Sequence, residues 1–332
     1  MALVAITGGC GYVGSHVAKA FKQKGFETLV VDRNAQRNPH THKYIDILVE
    51  DSFASRAFID ALDWHRPVAV VHLAANSLVG PSVTNPADYY DNNFIKTKIL
   101  VDAMVSKGLN NLIFSSTSSV YGEGHEPPIQ ESAEKKPLSS YGKSKLMTDM
   151  MLEDYNRAYK FNAVSFRYFN ACGASEDGSL GQVKGATHLV ARIMESALGQ
   201  SEGLKVYGTD YPTPDGTAIR DYTHVEDIAD AHVLALEFIR QNPGQHQIFN
   251  LGSGSGYSVK EVISAVEKNL NTTVEYEEVE RREGDPDKVF ADIHRADALL
   301  GWKPKRNIDT IAKSAYNWYS GETYKKLMTS TS

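Results

Sequence analysis

Cysteine is scarce in this chain of 332 residues, which contains only Cys10 and Cys172. Two thiols cannot form a disulfide framework or a typical zinc site, so the sequence predicts free cysteines in a reducing cytoplasm and no metal centre. Long hydrophobic runs are also missing, because the longest, from Val68 to Ala75, is far shorter than a membrane span. No basic segment followed by an apolar one opens the chain, so we expect no secretory signal.

An excess of positive charge is absent as well. The chain carries 35 lysines and arginines against 41 aspartates and glutamates, a formal net charge of -6. This balance argues against a general nucleic-acid-binding protein. Hydrophobic residues make up 42% and charged residues 23% of the sequence, which is typical of a packed globular protein. At roughly 150 residues per domain, the length predicts two domains or one large α/β unit with an added lobe.

Short apolar strands alternate with helices in the first half of the sequence. The predicted strands are 3–6, 29–31, 68–71 and 112–114, and the predicted helices include 12–23, 89–105 and 142–159. These strands are continuously apolar, as required for a parallel sheet that is buried on both faces. The predicted fold class is therefore α/β, a doubly wound parallel sheet of the Rossmann type.

A glycine-rich turn joins the first predicted strand to the first helix. Gly8, Gly11 and Gly14 permit a tight turn and let backbone N–H groups approach a pyrophosphate at the helix N-terminus. Asp32 follows the next strand, where a carboxylate accepts hydrogen bonds from the adenosine ribose and repels a 2′-phosphate. This context predicts an NAD site rather than an NADP site, with the neighbouring Arg33 as a minor counter-argument. A purely structural turn is the alternative.

The alternation of strands and helices changes after about residue 170, where clusters of glycine, proline and polar residues become frequent. We interpret residues 1–170 as the NAD-binding Rossmann domain and residues 171–332 mainly as a smaller C-terminal α/β substrate lobe. Residues 221–252 are expected to return to the first domain. Ligands of open α/β sheets bind at the carboxyl ends of the strands, so a lobe covering these ends is placed to hold a substrate.

Tyr141 and Lys145 are four residues apart, so they share one face of a predicted helix. A nearby ammonium and a nicotinamide cation would both favour the phenolate of Tyr141 and lower its pKa, which makes the tyrosine a candidate base. The alternative is a surface tyrosine beside a solvated lysine.

A cluster of hydroxyl side chains follows the predicted strand 112–114. Residues 115–119 read Ser-Ser-Thr-Ser-Ser. One hydroxyl at this position can bond a substrate oxygen and relay its proton. A polar turn with a helix cap is the alternative.

Together these segments resemble the UDP-sugar 4-epimerases of the extended short-chain dehydrogenase/reductase family, the NAD-dependent epimerases and dehydratases. The resemblance runs in order from about residue 3 to about residue 320 and is carried by segments 73–75, 89–93, 115–117, 141–147, 167–170, 215–222 and 281–285. It implies NAD as the cofactor and a UDP-hexose as the substrate, either glucose and galactose or also the N-acetylhexosamines. The implied reaction is epimerisation at C4, a step of galactose metabolism.

The resemblance also implies the cofactor contacts. Tyr12 and Val13 would lie at the pyrophosphate and Asp32 at the adenosine ribose. Asp46 and Ile47 would flank the adenine. The residues expected to line the nicotinamide half of the site are Leu73, Ala74, Asn92, Lys145 and Phe169.

The implied substrate contacts lie mainly in the second half of the chain. Thr117 falls where the family has a catalytic serine or threonine, beside Tyr141. The residues expected to hold the UDP group are Asn170, His188, Leu189, Tyr207, Arg220, Arg282 and Asp285, with Tyr207 at the uracil. Two guanidinium groups suit the oxygens of a diphosphate, because both partners are planar or fixed in geometry.

Several positions depart from the family pattern. Loop 33–43 is several residues shorter than in well-known bacterial members, which weakens the adenosine contacts expected there. Ser77 stands where those members have a lysine, and His188 replaces an asparagine. Val289 replaces a bulky tyrosine that closes the sugar pocket in some members, which predicts room for an N-acetyl group. The alternative is that other side chains close the pocket.

The implied mechanism begins when the phenolate of Tyr141 removes the proton of the sugar 4-hydroxyl, directly or through Thr117. Hydride passes from C4 to NAD, the 4-keto sugar turns over, and hydride returns to its other face. A sugar-nucleotide dehydratase would need an Asp-Glu pair after the threonine, and a decarboxylase a glutamate, where this chain has Ser118 and Ser119. A non-catalytic NAD-sensing regulator would be expected to lack Tyr141 or Lys145.

Apolar stripes on two predicted helices indicate a homodimer. Helix 142–159 carries Leu146, Met147, Met150 and Met151 at helical spacing, and helix 89–105 offers a broad apolar arc. The alternative is that both helices are fully buried within one subunit. The family usually dimerises through these two helices, which implies the same association here.

Overall fold

The computed structural model describes residues 1–183, 188–201, 203–282 and 284–330. The strands, in chain order, are β1 (Leu3–Thr7), β2 (Glu27–Val31), β3 (Ile47–Val49), β4 (Ala69–His72), β5 (Asn111–Thr117), β6 (Asn162–Tyr168), β7 (Asn170–Cys172), β8 (Leu204–Tyr207), β9 (Ile219–Arg220), β10 (Tyr222–His224), β11 (His246–Leu251), β12 (Tyr257–Ser258), β13 (Tyr276–Val279) and β14 (Lys288–Val289). The helices are α1 (Tyr12–Gln23), α2 (Arg56–His65), α3 (Val79–Thr84), α4 (Pro86–Tyr90), α5 (Lys96–Ser106), α6 (Ser140–Tyr159), α7 (Leu189–Ala197), α8 (Val225–Gln241), α9 (Val259–Leu270), α10 (His294–Leu300), α11 (Ile308–Tyr319) and α12 (Glu322–Ser330).

A central parallel sheet organises the first half of the molecule. Within the described residues it has seven strands in the order β11, β6, β5, β4, β1, β2, β3. The chain starts in the middle at β1, builds outward to β3, crosses to β4 and then builds to the other edge. The order therefore reverses between β1 and β4, which is where open α/β sheets bind ligands. This topology confirms the predicted doubly wound fold.

Both faces of this sheet are covered by helices, which explains why its strands are apolar along their whole length. Val4 and Ile6 belong to the core on the side of α1 and α8. Leu3 and Ala5 belong to the core on the side of α2, α5 and α6. Each large apolar side chain buried in this way contributes roughly 1.5–3 kcal/mol.

The second half of the chain builds its own apolar cluster around α7, α9 and α11, with Ile193, Val262 and Trp318 in its centre. Within the predicted returning segment 221–252, β11 pairs with β6 of the central sheet and α8 packs against α1, whereas β10 pairs with β7 outside that sheet. The domain boundary that the sequence predicts after residue 170 stays a prediction. No helix in the described ranges is both long and apolar enough to cross a bilayer.

The predicted helix 89–105 is interrupted in the structure. Helix α4 ends at Tyr90, a π-helical turn covers Asp91–Ile95, and α5 follows. The π turn accommodates one extra residue and buries Asn92 and Asn93. Packing against neighbouring elements sets such a turn, so the apolar periodicity of the sequence did not reveal it.

Candidate active site

The glycine turn after β1 packs directly on the end of β4. Gly8 has a φ of +70°, and a Cβ at this position would lie 2.9 Å from the backbone of Ala74. At Gly14 a Cβ would lie only 2.1 Å from the Gly8 carbonyl oxygen. Glycine is required at both positions because the backbone segments approach too closely for any side chain.

This turn leads into the N-terminus of α1. Gly11 is the N-cap and provides no side-chain cap hydrogen bond. The first N–H groups of the helix, on Tyr12 and Val13, have no acceptor within the helix. The Tyr12 hydroxyl donates to the Gly173 carbonyl at 2.7 Å, so its side chain is already engaged. The helix start therefore offers backbone N–H groups to an anion, as the sequence predicted for a pyrophosphate.

Asp32 lies beside the turn with its carboxylate held by backbone donors. Its Oδ2 atom accepts from the Cys10 N–H at 3.0 Å, and its Oδ1 atom accepts from the Asn34 N–H at 3.0 Å. Each carboxylate oxygen has a second lone pair. The partly exposed carboxylate can therefore accept further hydrogen bonds from ligand hydroxyls.

Asp46 and Ile47 do not reach this edge of the sheet. Ile47 begins β3, which runs parallel to β2, so both residues lie at the amino end of the strand. The Asp46 carboxylate accepts hydrogen bonds from Lys22 Nζ at 2.8 Å and from the Thr28 N–H at 2.8 Å. The expectation that these residues flank an adenine is therefore corrected, because ligands lie at the carboxyl ends of the strands.

Asp51 and Ser52 occupy the corresponding position after the carboxyl end of β3. The Asp32 N–H donates to the Val49 carbonyl at 3.2 Å, which ties this end of β3 to Asp32. The Asp51 carboxylate accepts from the Ser52 N–H at 2.6 Å. The sequence analysis missed both residues because it did not recognise strand 47–49. The apolar run Ile-Leu-Val just before them was the available signal.

The end of β4 is joined to the glycine turn by a buried hydrogen-bond network. Thr7 Oγ1 accepts from the N–H groups of Leu73 at 3.2 Å and Ala74 at 3.1 Å, and it lies 2.7 Å from His72 Nδ1. Because this oxygen already accepts two hydrogen bonds, its hydroxyl donates to Nδ1, and the His72 Nε2–H donates to Thr97 Oγ1 at 2.8 Å. Burial lowers the pKa of His72 to about 3, so the ring stays neutral.

Asn92 presents an unsatisfied acceptor in the π turn. The residue is 4% exposed, and its Nδ2 donates to Asn93 Oδ1 at 3.1 Å. The Oδ1 atom of Asn92 is buried with no hydrogen-bond partner. Such an orphan costs roughly 1–3 kcal/mol, which a ligand donor at this position would recover.

Tyr141 and Lys145 lie on the first two turns of α6, next to the end of β5. Lys145 is 2% exposed. Its Nζ donates to the Ser115 carbonyl at 2.6 Å and lies 4.7 Å from the centroid of the Phe114 ring. The Thr117 hydroxyl lies close enough to the Tyr141 phenol to oppose, through hydrogen bonding, the rise of the phenol pKa. The structure therefore brings the three predicted catalytic side chains together.

Thr117 also supports the turn that follows β5. Its Oγ1 accepts from the Ser119 N–H at 3.2 Å and lies 3.3 Å from the Ser119 hydroxyl, to which it donates. The two interpretations of the hydroxyl cluster are therefore compatible. The same threonine caps a 3₁₀ turn and contacts Tyr141.

Burial shifts the pKa values of the two titratable groups in opposite directions. It raises the pKa of Tyr141 above the usual value of a phenol, and the hydrogen bond with Thr117 opposes this rise. It lowers the pKa of Lys145 to about 7, and the Asp149 carboxylate opposes this fall. A bound cation close to the phenol would lower the Tyr141 pKa toward neutrality.

A cavity of about 930 Å³ lies in the second half of the chain. Its volume suits a small organic ligand of nucleotide-sugar size. All seven residues that were expected to hold the UDP group line it: Asn170, His188, Leu189, Tyr207, Arg220, Arg282 and Asp285. Of the motif that supplies the last two, Glu283 lies outside the described residues.

Arg220 and Arg282, two of the three arginines that line the cavity, have partners within the protein. Arg220 Nη2 donates to Asp285 Oδ1 at 2.6 Å and to the Pro286 carbonyl at 2.6 Å. The Arg282 guanidinium carbon lies 3.9 Å from the centroid of the Tyr207 ring. Burial lowers the pKa of His188, so its imidazole is neutral at neutral pH. Arg220 and Arg282 are thus cationic groups offered to an anionic ligand, in a cavity that Arg192 and Lys205 also line.

Val289 lies between the cavity and the end of β5. It belongs to β14 and pairs with Arg220 of β9. Its side chain packs against an apolar cluster that contains Val120 and Phe169. Val120 follows Thr117 by three residues, so this cluster connects the predicted catalytic residues with the predicted substrate cavity.

Comparison with known proteins identifies the family. The profile of the NAD dependent epimerase/dehydratase family matches residues 4–252. The chain belongs to this family. A UDP-glucose 4-epimerase from Rhizobium meliloti (strain 1021) is 38% identical over 319 residues, which cover 96% of this chain and 97% of the relative.

Two solved structures extend this similarity to the fold. The UDP-glucose 4-epimerase from Brucella ovis in complex with NAD has a TM-score of 0.91 and 39% identity, and the match covers 95% of this chain and 98% of that one. The UDP-Glc/GlcNAc 4-epimerase from Campylobacter jejuni has a TM-score of 0.82 and 35% identity, covering 96% and 99%.

The sheet edge fits the cofactor that the family uses. Gly8 and Gly14 leave a backbone cradle that any Cβ would fill. Asp32 offers carboxylate lone pairs next to the cradle, and Asn92 offers an orphan acceptor on the far side of β4. A dinucleotide lying along the carboxyl ends of β2, β1, β4 and β5 would meet these groups in turn.

Proposed function

We propose that the chain is an NAD-dependent UDP-hexose 4-epimerase. The observation that carries the proposal is the connection of two sites. Tyr141, Lys145 and Thr117 meet at the end of β5, and a cavity of about 930 Å³ with Arg220 and Arg282 lies beyond the apolar cluster next to them. The similarity to UDP-glucose 4-epimerases along nearly the whole chain supports this reaction.

Tyr141 acts as the base in this proposal. Its phenolate takes the proton of the sugar 4-hydroxyl and returns it when the alcohol forms again. The Lys145 ammonium stabilises the phenolate electrostatically, and the Thr117 hydroxyl holds the sugar oxygen against the phenol. NAD, when bound, supplies a reversible hydride acceptor. Tyr141 and Thr117 therefore act on the 4-oxygen of the sugar, and Lys145 acts on it through Tyr141.

The cavity holds the nucleotide and leaves the sugar free to turn. Arg220 and Arg282 bind the diphosphate with planar, charged donors. Tyr207 packs against the uracil, and Asp285 accepts from the uridine ribose. Asn170, His188 and Leu189 complete the diphosphate site at the start of α7. Polar anchors are numerous for UDP and few for the hexose, as required for a sugar that must present both faces.

The cofactor contacts follow the carboxyl edge of the sheet. The N–H groups of Tyr12 and Val13 bind the pyrophosphate, and Asp32 binds the adenosine ribose. Asp51 and Ser52, rather than Asp46 and Ile47, lie at the adenine. On the nicotinamide side we place Leu73, Ala74, Asn92, Lys145 and Phe169.

Val289 widens the range of sugars in this proposal. Its side chain is smaller than a tyrosine, and it borders the cluster around Phe169. The space it leaves accommodates a 2-N-acetyl group at little cost to a 2-hydroxyl. The UDP-Glc/GlcNAc 4-epimerase from Campylobacter jejuni supports an enzyme of this family with both activities.

The assembly proposed is a homodimer through α5 and α6. Ile95, Ile99, Met147 and Met150 are exposed by 49%, 44%, 38% and 60% on these two helices and the π turn. Exposed apolar side chains on neighbouring helices favour association with another subunit. Two buried free cysteines support a reducing compartment, the cytoplasm.

Incubation of the purified protein with UDP-glucose tests the reaction. We expect UDP-galactose to form without added cofactor or net change in NADH, because the cycle returns the hydride. Tyr141→Phe should reduce kcat by about 10²–10⁴-fold while UDP still binds by calorimetry. Thr117→Val should be severe and Thr117→Ser mild. A Tyr141→Phe variant with normal turnover would require another base and would contradict the proposal.

A further inference from the structure

A buried ion pair lies next to β5, the strand that ends at Thr117. Asp149 and Arg167 are 3% and 1% exposed. Asp149 Oδ2 accepts from Arg167 Nη2 at 3.2 Å, from Arg167 Nε at 3.3 Å and from Ser116 Oγ at 3.0 Å. Ser116 and Arg167 face each other across β5 and β6. None of these groups has a part in the proposed reaction.

Stability alone gives a weak reason for such a pair. The cost of removing two charges from water offsets most of their attraction, and apolar residues of similar volume often serve a core equally well. The pair is also incompletely satisfied, because Asp149 Oδ1 is buried with no hydrogen-bond partner. A further use of the Asp149 charge would explain its presence.

The position of Asp149 on α6 suits a role next to Tyr141 and Lys145. Tyr141, Lys145 and Asp149 follow one another at intervals of four residues, so they lie on one face of the helix in successive turns. Ser115, whose carbonyl accepts from Lys145, precedes Ser116, whose hydroxyl donates to Asp149. The Asp149 carboxylate therefore links α6, which carries Lys145, to β5, whose Ser115 carbonyl accepts from Lys145.

The other groups around Lys145 do not replace this charge. The titratable groups that face Lys145 or Asp149 are His72 on β4, Arg167 on β6, Tyr141 on α6, His246 on β11 and Lys135 in the loop before α6. Burial lowers the pKa values of His72 and His246, and Lys135 and Arg167 are basic, so none of these groups supplies a negative charge. In the part of the chain that the structure describes, Asp149 is the carboxylate that opposes the loss of the Lys145 proton.

We propose that Asp149 is a positioning residue for Lys145, a buried counter-charge, held by Arg167 and Ser116, that increases the ammonium fraction of the lysine beside Tyr141 at neutral pH. The inference rests on the proposed function, because Lys145 matters in this way only if Tyr141 is the base. The base, its activating cation and the counter-charge of that cation would then occupy three successive turns of α6.

Asp149→Asn tests the proposal, since it keeps the shape of the side chain and an acceptor for Ser116 but removes the charge. Lys145 should lose its proton at a pH lower by about one unit. The alkaline limb of the kcat profile should move down by the same amount. The Tyr141 phenolate, measured by ultraviolet absorbance against the matching Tyr141→Phe variant, should form at higher pH. The affinity for UDP should not change.

Two variants make the comparison specific. Asp149→Glu keeps the charge and should restore most of the wild-type pH profile. Asp154→Asn removes a carboxylate on the same helix whose side chain is 68% exposed, and it should change neither measurement. An Asp149→Asn protein that folds and titrates like wild type would overturn the proposal.

Asp149→Asn leaves the Arg167 guanidinium without its anionic partner. The same titrations are therefore measured in the double variant Asp149→Asn/Arg167→Gln. A double variant that folds with the lowered Lys145 titration supports the proposal, and one that folds with wild-type titration overturns it. Failure of both variants to fold would assign the pair to stability and would also overturn it. The phenolate titration requires no substrate, so its result is independent of whether the wild type converts UDP-glucose.

Discussion

Backbone atoms orient the side chains at the sheet edge. The Asp32 carboxylate accepts from two N–H groups, and the Lys145 ammonium donates to the carbonyl of Ser115. Thr117 accepts from the N–H of Ser119. Because backbone partners persist when one side chain is changed, single substitutions here should remove one interaction and leave the neighbouring groups in place.

Asp32→Ala should abolish the preference for NAD over NADP. The carboxylate accepts ribose hydroxyls and repels a 2′-phosphate, and a charged hydrogen bond contributes about 1.5–3 kcal/mol. NAD affinity should fall roughly tenfold to a hundredfold, while NADP affinity stays constant or rises. Dissociation constants of the cofactor-stripped protein measure this change.

Asp46→Ala is the matched control for the cofactor site. Its carboxylate pairs with Lys22 at the opposite edge of the sheet, so NAD binding should not change. Weaker NAD binding in this control together with normal binding in Asp32→Ala would contradict the placement of the adenosine. That result would instead indicate that the adenine binds at the amino end of β3.

Val289→Tyr should selectively remove activity on N-acetylhexosamines. A tyrosine would fill the space next to Phe169 and Val120, and a packed wall yields little. The kcat/KM for UDP-N-acetylglucosamine should fall at least tenfold, and that for UDP-glucose should change little. Two results would contradict this prediction: no N-acetylhexosamine activity in the wild type, or an equal fall in kcat/KM for both substrates in the variant. Either would show that side chains other than Val289 limit the size of the sugar.

At the scale of elements, the helices on one face of the sheet differ in what they cover. Helix α5 buries Leu100 and Met104 against the sheet but leaves Ile99 exposed, and α6 buries Met151 but leaves Met150 exposed. Two apolar sides on one helix exceed what a single sheet can cover. The exposed sides are where a second subunit would pack.

Met150→Glu should convert the proposed dimer to a monomer. A carboxylate placed at the centre of an apolar helix interface must be desolvated on association, at a cost of several kcal/mol. Sedimentation of wild type and variant at equal concentration measures the change. Leu299→Glu, on α10 and similarly exposed at 48%, is the control and should leave the mass unchanged. A monomeric wild type would contradict the interface.

Over the whole molecule, ion pairs join the cofactor-binding half to the C-terminal residues. Lys19 of α1 lies 2.9 Å from Asp177 and 3.2 Å from Glu226. Arg306 lies 2.6 Å from Asp227, whose side chain is 1% exposed. Burial raises the pKa of Asp227, and Arg306 opposes this rise. The arginine therefore keeps a buried carboxylate ionised at the junction.

Arg306→Met should destabilise the protein and change its pH dependence. Removing one partner of a buried pair costs about 3–5 kcal/mol, and the partial exposure of Arg306 reduces this to about 1–3 kcal/mol. The Asp227 pKa would rise further above its unfolded value. The folded state would then bind more protons, so the unfolding free energy of the variant falls as pH rises from about 4, the unfolded pKa of an aspartate, through the raised folded pKa.

Urea unfolding at several pH values measures this effect. Lys303→Met is the control, because Lys303 pairs with Asp297 at the surface with side chains 67% and 39% exposed. Such pairs contribute roughly 0–1 kcal/mol. Equal effects of the two substitutions at all pH values would show that the Asp227 carboxylate does not depend on Arg306.

Local patterns in the sequence were sufficient to predict the doubly wound sheet, the glycine turn, helix 12–23 and the family. Each of these depends on local patterns: apolar runs, glycine spacing, and short motifs whose order survives along the chain. The pairing of Tyr141 with Lys145 is of the same kind, because four residues on a helix fix a common face.

Tertiary pairing separates the two ends of β3, and we propose that the carboxyl end meets the cofactor. Asp46 and Asp51 are both aspartates next to the same short strand, and the parallel pairing of β3 with β2 separates them by the length of that strand. Tertiary packing also decided the π turn that buries Asn92 and the pairing of Asp149 with Arg167. These features join residues distant in sequence, and no local propensity specifies such contacts, because burial and pairing energies arise only when the elements meet.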